Sequence, residues 1–286
     1  MLTRRHFSAL AAGAAFAAPL RLRAAATRSG IDFGVQLYMV RNHISDLGAT
    51  LRLIHDIGYA SVESYPIVYN RTAKELKALI AAAGLKAPSG HFDYATLEEK
   101  VDYAAELGLE YMICPMLPRP LWDSLDGFRQ GAEHLNKAAA RAGAAGLKFG
   151  YHPHNYEYRA LQDGRGGGRG FEVLMRELDP AVRLELDIYW ATEGGENPLE
   201  LMKKYRERLA LIHIKDRKPG FGFSYAPDEH AAHFTEAGSG TIDWKTDLGE
   251  ARRLGVKLFF VDQDGTDLPI EESLRVNWKY LSQLSF

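Results

Sequence analysis

One short stretch of the chain, "YHPHNYEY" at residues 151–158, combines two histidines with a glutamate. His152 and His154 are separated by one residue, and Glu157 follows three residues later. Imidazole nitrogens and carboxylate oxygens bind divalent transition metals, and both groups can take up and release protons. The stretch could therefore belong to a metal site, a proton-transfer site or a polar loop, and the elements around it must distinguish these uses.

Ionisable side chains also stand at the ends of most of the apolar runs that we predict to be strands. They are Glu63, His91, His152, His154, Glu157, Asp187, His213, Lys215, Asp216, Asp262 and Asp264. Any one of them could be a helix cap or a solvated loop residue. If the strand ends converge on one mouth, burying so many charges is costly unless something pairs them, and a divalent cation is the simplest solution. The mixture of ligands suits Mn²⁺, Mg²⁺, Co²⁺ or Zn²⁺ without choosing among them.

The elements that must position these groups alternate regularly from residue 31 onward. Apolar runs predict eight strands, at 32–38, 60–64, 86–91, 110–116, 147–152, 182–190, 209–216 and 257–264. Amphipathic segments predict eight helices, at 49–58, 72–84, 96–108, 124–145, 170–178, 198–205, 243–255 and 270–284.

Eight strand–helix units predict parallel pairing and right-handed crossovers, hence a single α/β domain, a closed (β/α)₈ TIM barrel over residues 31–286. In such barrels the carboxyl ends of the strands carry the chemistry. An open doubly wound sheet is the alternative, but no G-x-G-x-x-G follows the first strand. We interpret the glycine-rich stretch "GRGGGRG" at 164–170 as a flexible loop.

Composition and charge exclude some classes of protein. The 286 residues are 46% apolar and carry a formal net charge of −2, which is ordinary globular composition and does not suggest a nucleic-acid partner. The single cysteine, Cys114, excludes an internal disulfide framework and a thiolate metal cluster.

The first 26 residues have the layout of a Tat-type signal peptide. Arg4 and Arg5 precede an alanine-rich apolar run from Ala9 to Leu20, and an A-x-A-like cleavage site lies near Ala26. We therefore predict export by the Tat machinery to the periplasm; the alternative is an amphipathic structural helix. The apolar run is too short to remain as a membrane span in the mature form.

Several motifs occur in an order that resembles a known superfamily. They are "GVQLYMVR" (34–41), "GYASVES" (58–64), "YHPHNYEY", "LDIYW" (186–190), "IHIKD" (212–216), "GSGTIDW" (238–244) and "VDQD" (261–264). Together they resemble the xylose isomerase-like TIM barrels, in the group of sugar phosphate isomerases/epimerases. The resemblance covers essentially all of residues 31–286.

The resemblance implies one divalent metal ion, held by acidic groups of strands five, six and eight and a histidine of strand seven. Carried over, these ligands are Glu157, Asp187, His213 and Asp262. Strand five offers either Glu157 or His152, and we expect Glu157 because it keeps an anionic oxygen on the metal. Relatives commonly have "EQD" where this chain has "DQD" at 262–264, so the strand-eight carboxylate is one methylene shorter.

The resemblance also implies a sugar isomerase or epimerase that acts on a carbohydrate or keto-sugar through an enediolate. We expect proton transfer by Glu157, His154 or Asp262. Substrate contacts are expected from Glu63, His91, His152, Trp190, Lys215 and Arg217. Two alternatives stay open: a periplasmic lyase or hydrolase of 3-keto-glycosides with the same fold, and a sugar-binding protein that has lost catalysis.

Overall fold

Eight parallel strands close into a barrel, which confirms the predicted (β/α)₈ fold. The strands are β1 (Phe33–Gln36), β2 (Ser61–Ser64), β3 (Lys86–His91), β4 (Tyr111–Cys114), β5 (Lys148–Tyr151), β6 (Arg183–Asp187), β7 (Leu209–Ile214) and β8 (Leu258–Val261). Strand β1 pairs with both β2 and β8 and thereby closes the ring. This computed structural model describes residues 27–163, 166–227 and 233–286, so the signal peptide predicted for residues 1–26 lies outside the described part.

Helices follow the strands on the outside of the barrel. They are α1 (Leu47–Ile57), α2 (Ala73–Ala82), α3 (Leu97–Leu107), α4 (Leu125–Ala144), α5 (Gly170–Glu177), α6 (Ile188–Glu193), α7 (Pro198–Lys204), α8 (Trp244–Arg253) and α9 (Ile270–Leu281). Helix α2 begins with a capping box, in which Thr72 and Glu75 bond each other's backbone N–H. The buried side chains Leu76 and Ile80 then face the barrel. Within the described part of the chain, no helix is long and apolar enough to cross a membrane.

Two segments differ from the sequence predictions. Strand β6 ends at Asp187 instead of residue 190, because the Asp187 side chain accepts a hydrogen bond from the N–H of Trp190 and caps helix α6. The glycine-rich stretch is not simply a loop, since Gly166–Arg169 pairs antiparallel with Ala160–Asp163. Its glycines supply ladder hydrogen bonds, while Leu161 on the facing strand supplies buried apolar contact.

The barrel interior changes from apolar to ionisable along the strands. Tyr111, Ile113, Leu211 and Phe260 form a separate buried cluster whose positions alternate with those that face the helices. At Gly34 a Cβ atom would lie 2.5 Å from the Phe260 ring, so only glycine leaves room for this layer. Toward the carboxyl ends of the strands, the inward positions are occupied by acids, histidines and a lysine, all buried.

Candidate functional site

The carboxyl ends of β2, β3, β5, β6, β7 and β8 bring their ionisable side chains into one buried cluster, as the strand positions predicted. The cluster has two layers that share His213. Its members are Glu63, His91, His152, Glu185, Asp187, His213, Lys215 and Asp262. Strand pairing places Asp187 directly opposite His213, so these two side chains face the same space.

The lower layer is a ring of alternating carboxylates and imidazoles. His91 Nε2 lies 2.7 Å from Glu185 Oε2 and 3.2 Å from Glu63 Oε2. His213 Nε2 lies 2.7 Å from the same Glu63 oxygen and 3.3 Å from Glu185 Oε1. Gln36 donates a further hydrogen bond of 2.9 Å to Glu63. The carboxylates and imidazoles of the ring pair with one another, which offsets part of the cost of burying their charges.

Glu185 is a functional residue that the sequence analysis missed. It lies two residues before Asp187 on β6, so strand alternation places both side chains on the inner face of the barrel. That spacing was the available signal: a glutamate on the inward face of a buried strand needs a partner inside the barrel.

The upper layer contains His152, Asp187, His213 and Asp262. One ligand atom from each of these side chains lies within 4.8 Å of every other. Among the described residues, Asp187 Oδ2 and Asp262 Oδ1 are buried and have no hydrogen-bond partner, although Asp187 Oδ2 lies 3.1 Å from the Lys215 ammonium. Buried carboxylate oxygens without hydrogen bonds are costly, so these residues fit a divalent cation.

A second group of potential ligands, His91, His152, Glu185 and His213, is equally close together. Two of its atoms, His91 Nε2 and Glu185 Oε2, bond each other within the lower layer, while Glu185 Oε1 has no hydrogen-bond partner among the described residues but lies 3.3 Å from His213 Nε2. The oxygens without partners at Asp187 and Asp262 make the upper layer the better candidate for a metal ion.

Lys215 is buried among three carboxylates. Its ammonium lies 3.0 Å from Asp262 Oδ2, 3.1 Å from Asp187 Oδ2 and 2.5 Å from Asp264 Oδ2. It also lies 5.1 Å from the centre of the Trp190 ring. Burial disfavours the ammonium, but the three carboxylates outweigh this and raise the pKa of Lys215. In this structure the lysine therefore neutralises the upper layer.

Burial and neighbouring charges shift the other titrating groups in opposite directions. Burial raises the pKa of Asp187 to about 6, against the lowering effect of Lys215. Burial lowers the pKa of His91, but the charges of Glu63 and Glu185 outweigh this effect and raise the pKa to about 9. Burial and the Lys215 charge together lower the pKa of His154 to about 3, so its ring is neutral.

Glu157 lies outside both groups of close ligand atoms. Its Oε1 accepts a 2.6 Å hydrogen bond from the Tyr151 hydroxyl, and its Oε2 accepts a 3.0 Å bond from the N–H of His154. The short 3₁₀ helix Tyr156–Tyr158 turns this carboxylate back onto β5 instead of toward the mouth. Burial raises its pKa to about 7 despite the bond from Tyr151. The histidine alternative for strand five, His152, lies in the cluster instead.

A cavity of about 530 Å³ lies directly over the upper layer. It is lined by Tyr38, Tyr65, Pro66, His91, Asp93, Pro115, Met116, His152, His154, Trp190, Pro227, Phe234, Asp262 and Asp264. Most of the substrate-binding residues expected from the sequence are therefore at the cavity or one layer below it. A site of this volume accommodates a small organic molecule.

Arg217 is not among the side chains that line this cavity. Its Nε donates a 2.5 Å hydrogen bond to Glu193, and its Nη2 donates to the carbonyls of Phe221 and Gly222. These contacts anchor the loop after β7, so the structure gives Arg217 a loop-holding contact where we expected a substrate contact.

The motif "GSGTIDW" also has a structural explanation. The buried carboxylate of Asp216 accepts hydrogen bonds from the backbone N–H groups of Gly238, Gly240 and Ile242 and from the Trp244 indole. A Cβ atom at Gly240 would lie 2.2 Å from Asp216 Oδ1, which explains the glycine. The hydrogen bonds from this motif to Asp216 therefore shape the loop that leads into α8.

A parallel eight-stranded barrel with its ionisable cluster at the carboxyl ends of the strands has the layout of TIM-barrel enzymes. Residues 51–276 match the Xylose isomerase-like TIM barrel family, and the chain belongs to this family. A curated relative, inosose dehydratase of Clostridium botulinum (strain Alaska E43 / Type E3), is 29% identical over 159 residues, which are 51% of this chain and 51% of that protein. The chain thus spans about half the length of such relatives.

Solved structures support the same fold. A sugar phosphate isomerase/epimerase from Parabacteroides distasonis has a TM-score of 0.74 at 24% identity, over 90% of this chain and 94% of that chain. The 3-keto-D-glucoside 4-epimerase from E. coli has a TM-score of 0.62 at 18% identity, over 88% and 98%. The IOLI protein, whose crystal structure holds a zinc atom, has a TM-score of 0.66 at 15% identity, over 87% and 96%. At these identities the likeness shows the fold.

Proposed function

We propose that this protein is a divalent-metal-dependent isomerase or epimerase of a sugar or keto-sugar. The observation that carries the proposal is the upper layer, in which ligand atoms of His152, Asp187, His213 and Asp262 lie within 4.8 Å of one another. Asp262 and His152 also line the cavity of about 530 Å³. The zinc-containing relative and the named epimerases of this fold support the proposal.

The same four side chains would hold the metal ion. When bound, a divalent ion supplies a Lewis acid that polarises a carbonyl or hydroxyl oxygen. Glu63 faces His213 Nε2 and leaves Nδ1 directed at Asp262, so the lower layer orients a ligand of the upper layer. Lys215 offsets the negative charge of Asp187 and Asp262 and keeps both carboxylates in place.

His154 is the side chain best placed to carry a proton. It lines the cavity, and among the described residues its Nδ1 is buried without a hydrogen-bond partner. Its ring centre lies 5.0 Å from those of His152 and Trp190. A substrate over Trp190 would therefore have a neutral imidazole beside it whose free ring nitrogen can accept a proton next to a carbonyl, although the lowered pKa makes this imidazole a weak base.

A lyase or hydrolase acting on 3-keto-glycosides is the second candidate. It begins with the same proton abstraction but ends with loss of a leaving group. The inosose dehydratase relatives favour it, because their name denotes an elimination. Export by the predicted Tat signal favours it too, since phosphorylated sugars are scarce outside the cytoplasm.

Product analysis on keto-sugars and keto-glycosides separates these candidates. The metal-loaded protein should convert a keto-sugar into a product of identical mass, seen by NMR and mass spectrometry. Release of water or of an aglycone would contradict the isomerase proposal and support the lyase or hydrolase. Sugar binding without any turnover would indicate the inactive binding protein, for which the shortened Asp262 is the motivating feature.

A further inference from the structure

A second cavity, of about 460 Å³, adjoins the first. Its lining residues are Arg119, Pro120, Trp122, Asp123, Tyr156, Arg159, Tyr225, Ala226 and Pro227. Pro227 lines both cavities, so they are neighbours that meet at this residue. The proposed function uses only the first cavity and leaves the second without a role.

A row of aromatic rings connects the two cavities. The rings of Trp122 and Tyr156 are stacked, with centres 3.8 Å apart. The Tyr156 ring centre lies 6.2 Å from that of His154, which in turn lies 5.0 Å from Trp190. Trp122 and Tyr156 line the second cavity, while His154 and Trp190 line the first. A ligand that extends from one cavity to the other would follow this row.

The polar groups of the second cavity include both donors and an acceptor. Arg159 Nη2 donates a 2.8 Å hydrogen bond to Asp123 and one of 3.1 Å to the Trp122 carbonyl. Arg159 Nε is buried and has no hydrogen-bond partner among the described residues. The exposed parts of the Arg159 guanidinium and the Asp123 carboxylate place a donor beside an acceptor, which suits adjacent hydroxyl groups.

A neutral ligand suits the Arg159–Asp123 pair, although Arg119 also lines the cavity and adds a positive charge. The Arg159 guanidinium already faces the Asp123 carboxylate, which offsets its charge and repels a second anion. An apolar aglycone would add no hydrogen bonds to the Arg159 and Asp123 groups, whereas hydroxyl groups would. A second sugar ring supplies both hydroxyls and a C–H face for the Tyr225 ring.

We propose that the second cavity binds the second sugar ring of a glycoside whose first ring lies over the histidine and carboxylate cluster. The inference rests on the proposed function only for the position of the first ring. It makes the substrate a two-ring glycoside, whether the reaction is isomerisation, epimerisation or cleavage. Pro227 and the Tyr156 ring then lie where the glycosidic link passes between the cavities.

The test compares one-ring and two-ring ligands by calorimetry. The probes are methyl α-D-glucopyranoside and a panel of two-glucose disaccharides that differ in linkage. At least one disaccharide should bind the full-length, metal-loaded protein about tenfold more tightly than the methyl glucoside. Arg159→Gln and Tyr225→Ala should each remove most of this gain and leave the affinity for the methyl glucoside unchanged. Arg206→Gln, an exposed arginine elsewhere on the surface, is the matched control and should change neither affinity.

The outcomes separate the inference from the proposed function. If the methyl glucoside binds and no disaccharide binds more tightly, or if Arg159→Gln and Tyr225→Ala keep the full gain, the second-ring assignment is overturned and the proposed function stands. If neither type of sugar binds, the second-ring assignment is overturned, and the proposed function is decided separately by the turnover of keto-sugars. Inorganic phosphate is the anion probe. If phosphate binds and Arg159→Gln abolishes this binding, the second cavity takes an anionic group and the assignment of a neutral sugar ring is overturned.

Discussion

The carboxylate of Glu63 lies 2.7 Å from Nε2 of His213, on the opposite side of the ring from the nitrogen that faces Asp262. His213 is therefore held from below by one carboxylate and directs its Nδ1 toward the candidate metal ligands. A histidine fixed in this way binds a metal more tightly, because the tautomer and the ring orientation are set in advance.

Glu63→Gln should weaken metal binding without removing a ligand. The amide cannot pair with the His213 ring as a carboxylate does, so we expect a loss of about 10–100-fold in metal affinity. The measurement is titration of metal-stripped protein with Mn²⁺ or Zn²⁺. Glu110→Gln, an exposed glutamate, is the control. Equal affinity in Glu63→Gln and the wild type would show that Glu63 does not orient His213.

The strand-five ligand can be decided by a pair of variants. His152→Ala should lose most of the metal, because it removes a side chain of the upper layer. Glu157→Gln should keep the metal, since an amide oxygen can still accept the hydrogen bond from Tyr151. Elemental analysis of both purified proteins gives the answer. The reverse pattern would restore Glu157 as the ligand that the resemblance to the family implied.

His154→Gln should reduce turnover while leaving metal content nearly unchanged. Loss of a general base lowers the rate by about 10²–10⁴-fold, and it should also slow the exchange of a substrate C–H proton with deuterated solvent. The measurements are kcat, KM and deuterium incorporation. A raised KM with unchanged kcat and unchanged exchange would show that His154 only binds a hydroxyl.

The twin arginines provide a test of export. Changing Arg4 and Arg5 together to lysine should leave the precursor in the cytoplasm, because the Tat machinery reads the arginine pair. Cell fractionation and immunoblotting measure the distribution. Normal recovery of the double variant from the periplasm would argue against this route.

Asp247 on α8 should make stability depend on pH. Burial, reinforced by the Asp243 charge, raises the pKa of Asp247 to about 7. The folded state therefore keeps a proton that the unfolded chain releases near pH 4, so this residue's contribution falls as pH rises from about 4 to about 7 and is lowest above that range.

Asp247→Asn should remove this pH-dependent loss of stability, because the amide does not ionise. The variant should gain about 4 kcal/mol in unfolding free energy at pH 8 and close to nothing near pH 4. Urea unfolding across that pH range measures the difference. Asp56→Asn, on the exposed side of α1, is the control and should give no such slope. A pH-independent difference would show that the Asp247 carboxyl is not held protonated.

The barrel itself could be predicted from the sequence, because its signals are local. Apolar runs and amphipathic segments indicate where strands and helices lie, and the alternation of the two leaves few topologies. The same local order placed Asp187, His213 and Asp262 at strand ends. Since parallel strands end at one mouth, their proximity followed from the fold alone.

The tertiary structure decided which of these side chains meet. Glu157 belongs to the same short motif as His152 and His154, yet a short 3₁₀ helix directs it to Tyr151 and leaves His152 in the cluster. The spacing of Glu185 before Asp187 could place it inside the barrel, but its partner His91 lies 94 residues away in the chain. Direction of a side chain depends on backbone rotation and on distant partners, and neither is recorded in local residue patterns.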